Sequence, residues 1–261
     1  MKHITSRENV IYKDALKLTR RKYRDLSGLF ILEGIKPLRD AVSAGIKPQR
    51  VFIDEARTGD ITEESWLAEM GDIVCLLSRE LFKMLSDTEN SQGVVSVMPK
   101  PDYSEQKLSS AFAEGNICVL DRLQDPGNIG TIIRTAEAAG YAGIAVIKGT
   151  ADIYSPKVVR AAAGSLLRMP AVILENAGSA AELLHGLGKK ITVTCLEDAF
   201  DYRDADLSEG IALVIGNEGQ GVSREFKDLA DMKVKIPMKG QIESLNAAVA
   251  AGILMYQASR R

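Results

Sequence analysis

Four stretches hold the residues best suited to chemistry. Two are glycine turns behind apolar runs: Gly127-Asn128-Ile129-Gly130 follows the run at 117–120, and Gly216-Asn217-Glu218-Gly219-Gln220-Gly221 follows the run at 211–215. The third is a polar loop at 238–243 that ends in Ser244-Leu245-Asn246. The fourth is Arg134, set among Thr131, Ile132, Ile133, Ala136 and Ala138. Glycine turns behind strands point first to a nucleotide, whose phosphates need close backbone approach. Neither turn completes Gly-x-Gly-x-x-Gly, and no Lys-Ser/Thr follows as a phosphate-binding loop requires. Each alone fits a plain turn equally well, and a nucleotide-dependent oxidoreductase is unsupported. Arg134 has two readings of equal standing: an ion pair with Glu137, or a contact to an anion beside a helix N-terminus.

Other chemistries are poorly served. His3 and His185 are the only histidines, far apart in sequence, so a His-based metal site or a Ser-His-Asp triad is not expected. Cys75, Cys118 and Cys195 match no zinc spacing, and three cysteines leave one over from any disulfide scheme. They read as small buried hydrophobes. A net charge of −2 excludes a wholly basic binder, though not a local basic patch. No apolar run reaches the ~18–20 residues of a membrane span. The opening Met1-Lys2-His3-Ile4-Thr5 leads into charge, unlike a signal-peptide core. The expected compartment is the cytoplasm.

The elements that must position these residues alternate along 261 residues, enough for one large domain or two ordinary ones. Residues 1–27 are basic. Lys13, Lys17, Arg20 and Arg24 are spaced to share one face of a helix, which is either a solvated face or a cationic face for phosphates. Strands are expected at 29–32, 50–53, 73–77 and 93–98, with helices at 37–44, 63–70 and 79–85 between them. That alternation means an α/β sandwich. Pro99 and Pro101 mark a linker that runs on to about Ser110. Buried-strand runs then recur at 116–120, 143–147, 171–173, 191–195 and 211–215, with a shorter strand at 234–237. Helices are expected at 131–139, from Ser155-Pro156 to about 167, and at 223–229. Small residues fill 247–252.

Taken together the turns become recognisable. Asp125-Pro126-Gly127-Asn128-Ile129-Gly130 with Arg134, then Ile215 to Val222 through Gly216-Asn217-Glu218-Gly219, then Ile236-Pro237-Met238 with Ser244-Leu245-Asn246-Ala247-Ala248 resemble the three motifs of the SpoU-type (TrmH-like) RNA ribose 2′-O-methyltransferases of the SPOUT superfamily. They come in the right order and span most of 116–257. Phe30…Glu33-Gly34 and Ser86-Asp87-Thr88…Gln92-Gly93-Val94 resemble that family's L30e-like substrate-binding domain.

The resemblance implies an α/β protein: an L30e-like α/β sandwich at 1–100, a linker at 101–112, and a SPOUT domain at 113–261 with a parallel sheet and a deep trefoil knot. It implies S-adenosylmethionine as methyl donor and no metal. Cys195, Leu196, Ile215, Gly216, Asn217, Gly219, Ile236, Met238, Leu245 and Asn246 would hold that cofactor. Arg134 would stand closest to the reaction, with Asn128, Glu218, Ser244 and Asn246 orienting loops, RNA or the methionine tail; for Glu218 a purely structural role, bonding turn amides, is an equal reading. A guanidinium is a poor base, with pKa above ~12. The reading preferred here has Arg134 grip a phosphate and orient the 2′-hydroxyl, with the proton going to phosphate, to water, or to a perturbed Arg. Lys13, Lys17, Arg20 and Arg24 become candidate RNA contacts. The expected partners are large-subunit (23S) ribosomal RNA, with tRNA as the alternative substrate, and a second copy of the chain. A non-catalytic RNA-binding or ribosome-assembly factor is the rival of a different class.

Overall fold

The computed structural model describes residues 1–61, 65–88, 90–101 and 105–258. The first residues of the helix expected at 63–70, part of the expected linker and the last three residues of the second domain lie outside the described residues. The chain divides into two compact units: Met1–Pro101 with Asp152–Gly164, and Asp102–Ala151 with Ser165–Arg261.

The first unit runs β1 (Lys2–Ile4), α1 (Val10–Lys17), α2 (Arg21–Ser27), β2 (Leu29–Glu33), α3 (Ile35–Ser43), β3 (Arg50–Asp54), α4 (Thr58–Ile61), α5 (Ser65–Glu69), β4 (Val74–Leu77), α6 (Arg79–Leu85) and β5 (Val94–Pro99). Its sheet has the order β1-β4-β3-β5-β2, parallel from β1 to β3 and antiparallel around β5. The middles of β2 and β3 are buried on both faces, hence their unbroken apolar runs. Ile31, Phe52, Val95 and Val97 meet Tyr12, Ala15, Leu81 and Phe82 of α1 and α6 in one core. The two stretches that carried the substrate-domain resemblance touch: the Glu33 carboxylate accepts from the Ser86 hydroxyl at 2.7 Å, the Asp87 amide at 3.0 Å and the Thr88 hydroxyl.

The second unit begins with α7 (Glu105–Ala113), β6 (Ile117–Asp121), α8 (Pro126–Ala138) and β7 (Gly143–Ile147). The chain then passes through α9 (Pro156–Ala161), which belongs to the first unit and packs on β2. It continues as β8 (Ala171–Leu174), α10 (Ala177–Gly186), β9 (Lys190–Thr194), β10 (Phe200–Asp201), β11 (Ile211–Gly216), α11 (Arg224–Asp228), β12 (Met232–Lys235) and α12 (Ala247–Ala258). The seven strands are ordered β10-β12-β9-β11-β6-β7-β8, and every pairing is parallel. A parallel sheet needs both faces covered. Ala177, Ala180, Ala181 and Leu184 of α10 join Phe226 of α11 in one core, and α8 packs with α12. From β6 the chain proceeds toward β8, and from β11 toward β12. Direction therefore reverses between the neighbours β6 and β11, and such a reversal opens a crevice at the strands' carboxyl ends.

Three expectations are corrected. The helix expected from Thr131 begins five residues earlier, because Asp125 caps it: its Oδ1 accepts the Asn128 amide at 2.7 Å, and Pro126 takes the first turn. The linker expected at 101–112 is helical from Glu105, and Phe112 of that helix is buried. The single basic helix is two: the Thr19 hydroxyl takes the Leu16 carbonyl at 2.8 Å, and Arg20 is extended at φ −106°.

Candidate active site

The carboxyl ends of β6 and β11 meet in register at Asp121 and Gly216. A Cβ on Gly216 would lie 2.1 Å from the Val222 nitrogen and 2.2 Å from the Gly221 carbonyl carbon, so only glycine lets the chain fold back here. It does so through a tight turn in which Asn217 and Gly221 exchange backbone hydrogen bonds at 3.0 and 2.8 Å. The Asn217 side chain accepts from the Gly219 and Gln220 amides and donates to the Arg122 carbonyl at 2.9 Å. The turn thus holds itself and anchors to the loop after β6.

Glu218, at the tip, joins the separate motifs. Its Oε1 accepts from the Asp125 amide at 3.0 Å and from Asn128 Nδ2 at 3.2 Å, and its Oε2 accepts the Gln124 amide at 3.1 Å. Asn128 Oδ1 in turn accepts from Asn246 Nδ2 at 2.9 Å. Asn246 Oδ1 caps α12, accepting the Ala248 amide at 2.9 Å. Residues about ninety and thirty positions apart are thereby one chain of hydrogen bonds. Partial burial opposes ionisation of Glu218, but the amides and Asn128 outweigh it and hold the carboxyl below its ordinary pKa.

Arg134 is exposed on α8, and its side chain bonds to no other described residue. The ion pair considered for it is taken: Glu137 is held by Arg168, at 2.5 Å to Nε and 2.9 Å to Nη2. The structural ion pair of Arg134 with Glu137 is therefore not formed. Ser244 is exposed, on the loop before α12, and joins no bond to a described residue. Three positioning residues, Asp121, Arg122 and Gln124, carried little signal of this role in the sequence. The Asp121 carboxylate is buried and accepts the Ser223 amide at 2.6 Å, tying β6 to the start of α11. Arg122 sits at φ +59°, its amide held by the Thr150 hydroxyl at 3.0 Å. Gln124 Nε2 donates to three carbonyls, those of Arg122, Leu123 and Gly149. An acid closing the apolar run at 117–120 was the one available signal.

Comparison with known proteins identifies the family. Residues 115–256 match the model of the SpoU rRNA methylase family. The chain belongs to the SpoU rRNA methylase family. Residues 9–96 match the MRM3-like substrate binding domain. The chain is 37% identical over 258 residues, 98% of each protein, to the 23S rRNA (guanosine(2553)-2′-O)-methyltransferase RlmP of Bacillus subtilis. The AdoMet-bound rRNA methyltransferase of Sinorhizobium meliloti superposes with a TM-score of 0.87 at 32% identity, covering 99% of this chain and 97% of that one. The SpoU methyltransferase AviRb of Streptomyces viridochromogenes, solved with AdoMet, gives a TM-score of 0.84 at 30% identity, covering 97% and 98%.

A SpoU methylase uses S-adenosylmethionine, and the residues here fit it. Gly216 ends β11, and Cys195, Leu196, Ile236 and Met238 follow the carboxyl ends of β9 and β12, the next two strands in the sheet order. Leu245 is half-buried on the loop before α12, while Ile215 is buried within β11. The Cys195 amide bonds to the Val234 carbonyl at 3.0 Å. The half-buried Ile236, Met238 and Leu245 make no backbone hydrogen bond to a described residue, leaving donors and acceptors for a polar ligand. Gly219 and Asn217 stay within the turn. Among the described residues no cluster of His, Cys, Asp and Glu is arranged to hold a metal ion.

The four candidate RNA contacts separate. Lys13 pairs with Glu8, Lys17 pairs with Asp14 at 2.9 Å, and Arg20 is exposed. Arg24 is a correction. It is 3% exposed, donates to Asp152 at 2.7–2.8 Å and to the Leu18 carbonyl at 2.7 Å, and fastens the inserted segment Asp152–Gly164 inside the first unit. Its burial among those acceptors removes it from any RNA surface.

Proposed function

We propose that this SpoU methylase transfers the methyl group of S-adenosylmethionine to a ribose 2′-hydroxyl of large-subunit ribosomal RNA. The hydrogen-bonded chain Glu218–Asn128–Asn246 beside an unengaged Arg134 carries the reading. When bound, S-adenosylmethionine supplies a methyl already activated on a cationic sulfur. The protein's task is then to place the 2′-oxygen in line and to keep water out. Arg134 holds the phosphate next to the target ribose through its fork of donors and orients the hydroxyl. A guanidinium offers five donors and no acceptor, so the proton leaves to a phosphate oxygen or to water. Asn128, Glu218 and Asn246 keep the three loops in mutual register, and Ser244 faces the substrate. The RNA assignment is supported by the substrate-domain match and by the named activity of the Bacillus subtilis relative.

The working form is a homodimer through the second unit. α12 is apolar around its circumference, buried at Ala248, Ala251, Leu254 and Met255, yet Val249 is 51% exposed. A helix apolar on all sides is normally covered on all sides. The trefoil knot belongs to the same reading, as does division at 1–100 and 113–261 with α9 lent to the first unit. No helix among the described residues is long and apolar enough to cross a membrane, and a cytoplasmic site of action follows from the substrate.

The deciding experiment uses ribosomal RNA from cells lacking the protein, tritiated S-adenosylmethionine and the purified chain. Label in large-subunit RNA, mapped as a 2′-O-methyl nucleotide, is expected. Label only in tRNA would move the substrate. No label, with cofactor binding intact, would leave a ribosome-assembly factor.

A further inference from the structure

The first unit carries a groove of about 460 Å³ between α1, α2 and the ends of β2, β3 and β5. That volume is in the range of small-molecule sites, ~300–1,000 Å³. Nothing in the methyl-transfer site uses it. Its walls are of three kinds. Val10, Leu18, Leu26 and Leu29 give apolar surface, and Val10 and Leu26 are 70% and 73% exposed. Tyr23 gives an aromatic face, half-buried. Lys17 and Arg50 give positive charge against the single lining carboxylate of Asp14, which Lys17 holds, and Gln49 gives an exposed amide bonded to no other described side chain.

We infer that this groove takes one unstacked nucleotide of the RNA substrate, its base against Tyr23 and its edge toward Gln49. The inference rests on the RNA methyltransferase reading and deepens it. Charge decides for a nucleic acid over a protein segment. Between residues 8 and 29 the exposed Lys13, Lys17, Arg20, Arg21 and Lys22 stand against Glu8, Asp14 and Asp25, while Arg24 is buried on Asp152 and contributes no surface charge. Asp14 is engaged by Lys17, and Asp25 by Lys100 at 2.9 Å and Arg21 at 3.5 Å, so the acids present little free negative charge to a phosphate. Arg20 and Lys22 are exposed, pair with no described acid, and lie in sequence between the lining residues Leu18 and Tyr23. Shape decides for an unpaired nucleotide. A base inside a helix cannot reach an apolar wall, whereas a loop or bulge base can leave its stack and lie on an aromatic ring. An amide both donates and accepts, and so can pair with a base edge.

The test measures binding of the full chain to two RNA hairpins of equal length and charge, one fully paired and one with a single-nucleotide bulge, by fluorescence anisotropy. Wild type is expected to prefer the bulged hairpin. Tyr23→Ala and Leu26→Asp should each weaken that complex roughly tenfold and leave the paired hairpin within about twofold. Leu26 is exposed enough that its substitution leaves the fold intact, and circular dichroism checks it. Cofactor affinity of both variants should match wild type. Equal loss on both hairpins, or no loss on either, overturns the groove while leaving the methyltransferase reading in place. A change of sedimentation with RNA binding unchanged makes the groove a protein contact and also overturns it. Failure of wild type to bind any RNA would sink both readings together.

Discussion

Glu218→Gln tests whether the three motifs act as one. The carboxylate accepts three donors: the Asp125 amide and Asn128 Nδ2 on Oε1, and the Gln124 amide on Oε2. A glutamine keeps one oxygen, so at least one backbone N–H would face an NH2 group, and the other bonds lose charge assistance. A hydrogen bond to a charged group contributes ~1.5–3 kcal/mol, and solvent screening at this exposed tip brings the loss to about 1–2 kcal/mol. Thermal unfolding should fall by roughly 2–8 °C. The larger effect should be catalytic, because the amides of Gln124 and Asp125 fix the entry of α8, which carries Asn128 and Arg134. A displacement of ~1 Å there costs up to ~100-fold in rate. Tritiated methyl transfer at saturating RNA should drop about 10- to 100-fold, with cofactor affinity by calorimetry within about threefold. Asn128→Ala breaks the same chain, so the double variant should lose less than the two singles added, with a coupling of ~0.5–3 kcal/mol. Full activity, or losses that simply add, would refute the idea that Glu218 registers the loops.

Arg134→Ala should abolish methyl transfer and leave the melting temperature and cofactor affinity unchanged, since the side chain bonds to no other described residue; surviving activity would move the reaction elsewhere. Gly216→Ala forces a Cβ to within 2.1–2.2 Å of backbone atoms and should destabilise by ~1–3 kcal/mol or more, read as a lower denaturant midpoint. Arg24→Ala leaves Asp152 buried without its cation and should cost ~3–5 kcal/mol of stability, and an unfolding scan within 1 °C of wild type would contradict its structural role. Glu137 is held below its ordinary pKa chiefly by Arg168. A carboxyl depressed on folding stabilises above its unfolded value, ~4.3, and that contribution is lost as pH falls through the folded value. Glu137→Gln should therefore be less stable than wild type near pH 7, and the gap should close below pH ~4.

Much of the fold was legible because parallel strands announce themselves. Ile117–Asp121, Gly143–Ile147 and Ile211–Gly216 are buried at every position, and such runs need no pattern beyond their length. What failed failed locally. Asp125-Pro126 is a helix start, but Gly127 and Gly130 inside the first turns read as loop. The helix expected to run on to 167 stops at Ala161, where Ala163 and Gly164 turn left-handed at φ +49° and +87° and a short 3-10 turn, Ser165–Leu167, replaces it. The spacing of Lys13, Lys17, Arg20 and Arg24 assumed a continuous helix, and a single hydroxyl at Thr19 helped to end it. Periodicity registers neighbours along the chain and is blind to a side chain that competes for one carbonyl.

The site was legible as three motifs but not as one object. Resemblance supplied the residue types, and their order along the chain said nothing of Glu218 reaching Asn128 or of Asn128 reaching Asn246 across more than a hundred positions. That reach depends on features with no sequence period: a glycine admitted for the sake of two backbone atoms, a left-handed Arg122, and a buried Asp121 that fixes the next helix by one amide. The fate of Arg134 shows how such context removes one reading. Beside Glu137 in sequence it had an even chance of being a structural ion pair. Arg168, arriving from thirty residues downstream, takes that acid, and the cation left over faces solvent on the helix that opens at the reversal point of the sheet. A side chain that bonds to no other described residue, at the place where a parallel sheet opens its crevice, is where the proposed function puts an arginine to meet an anion.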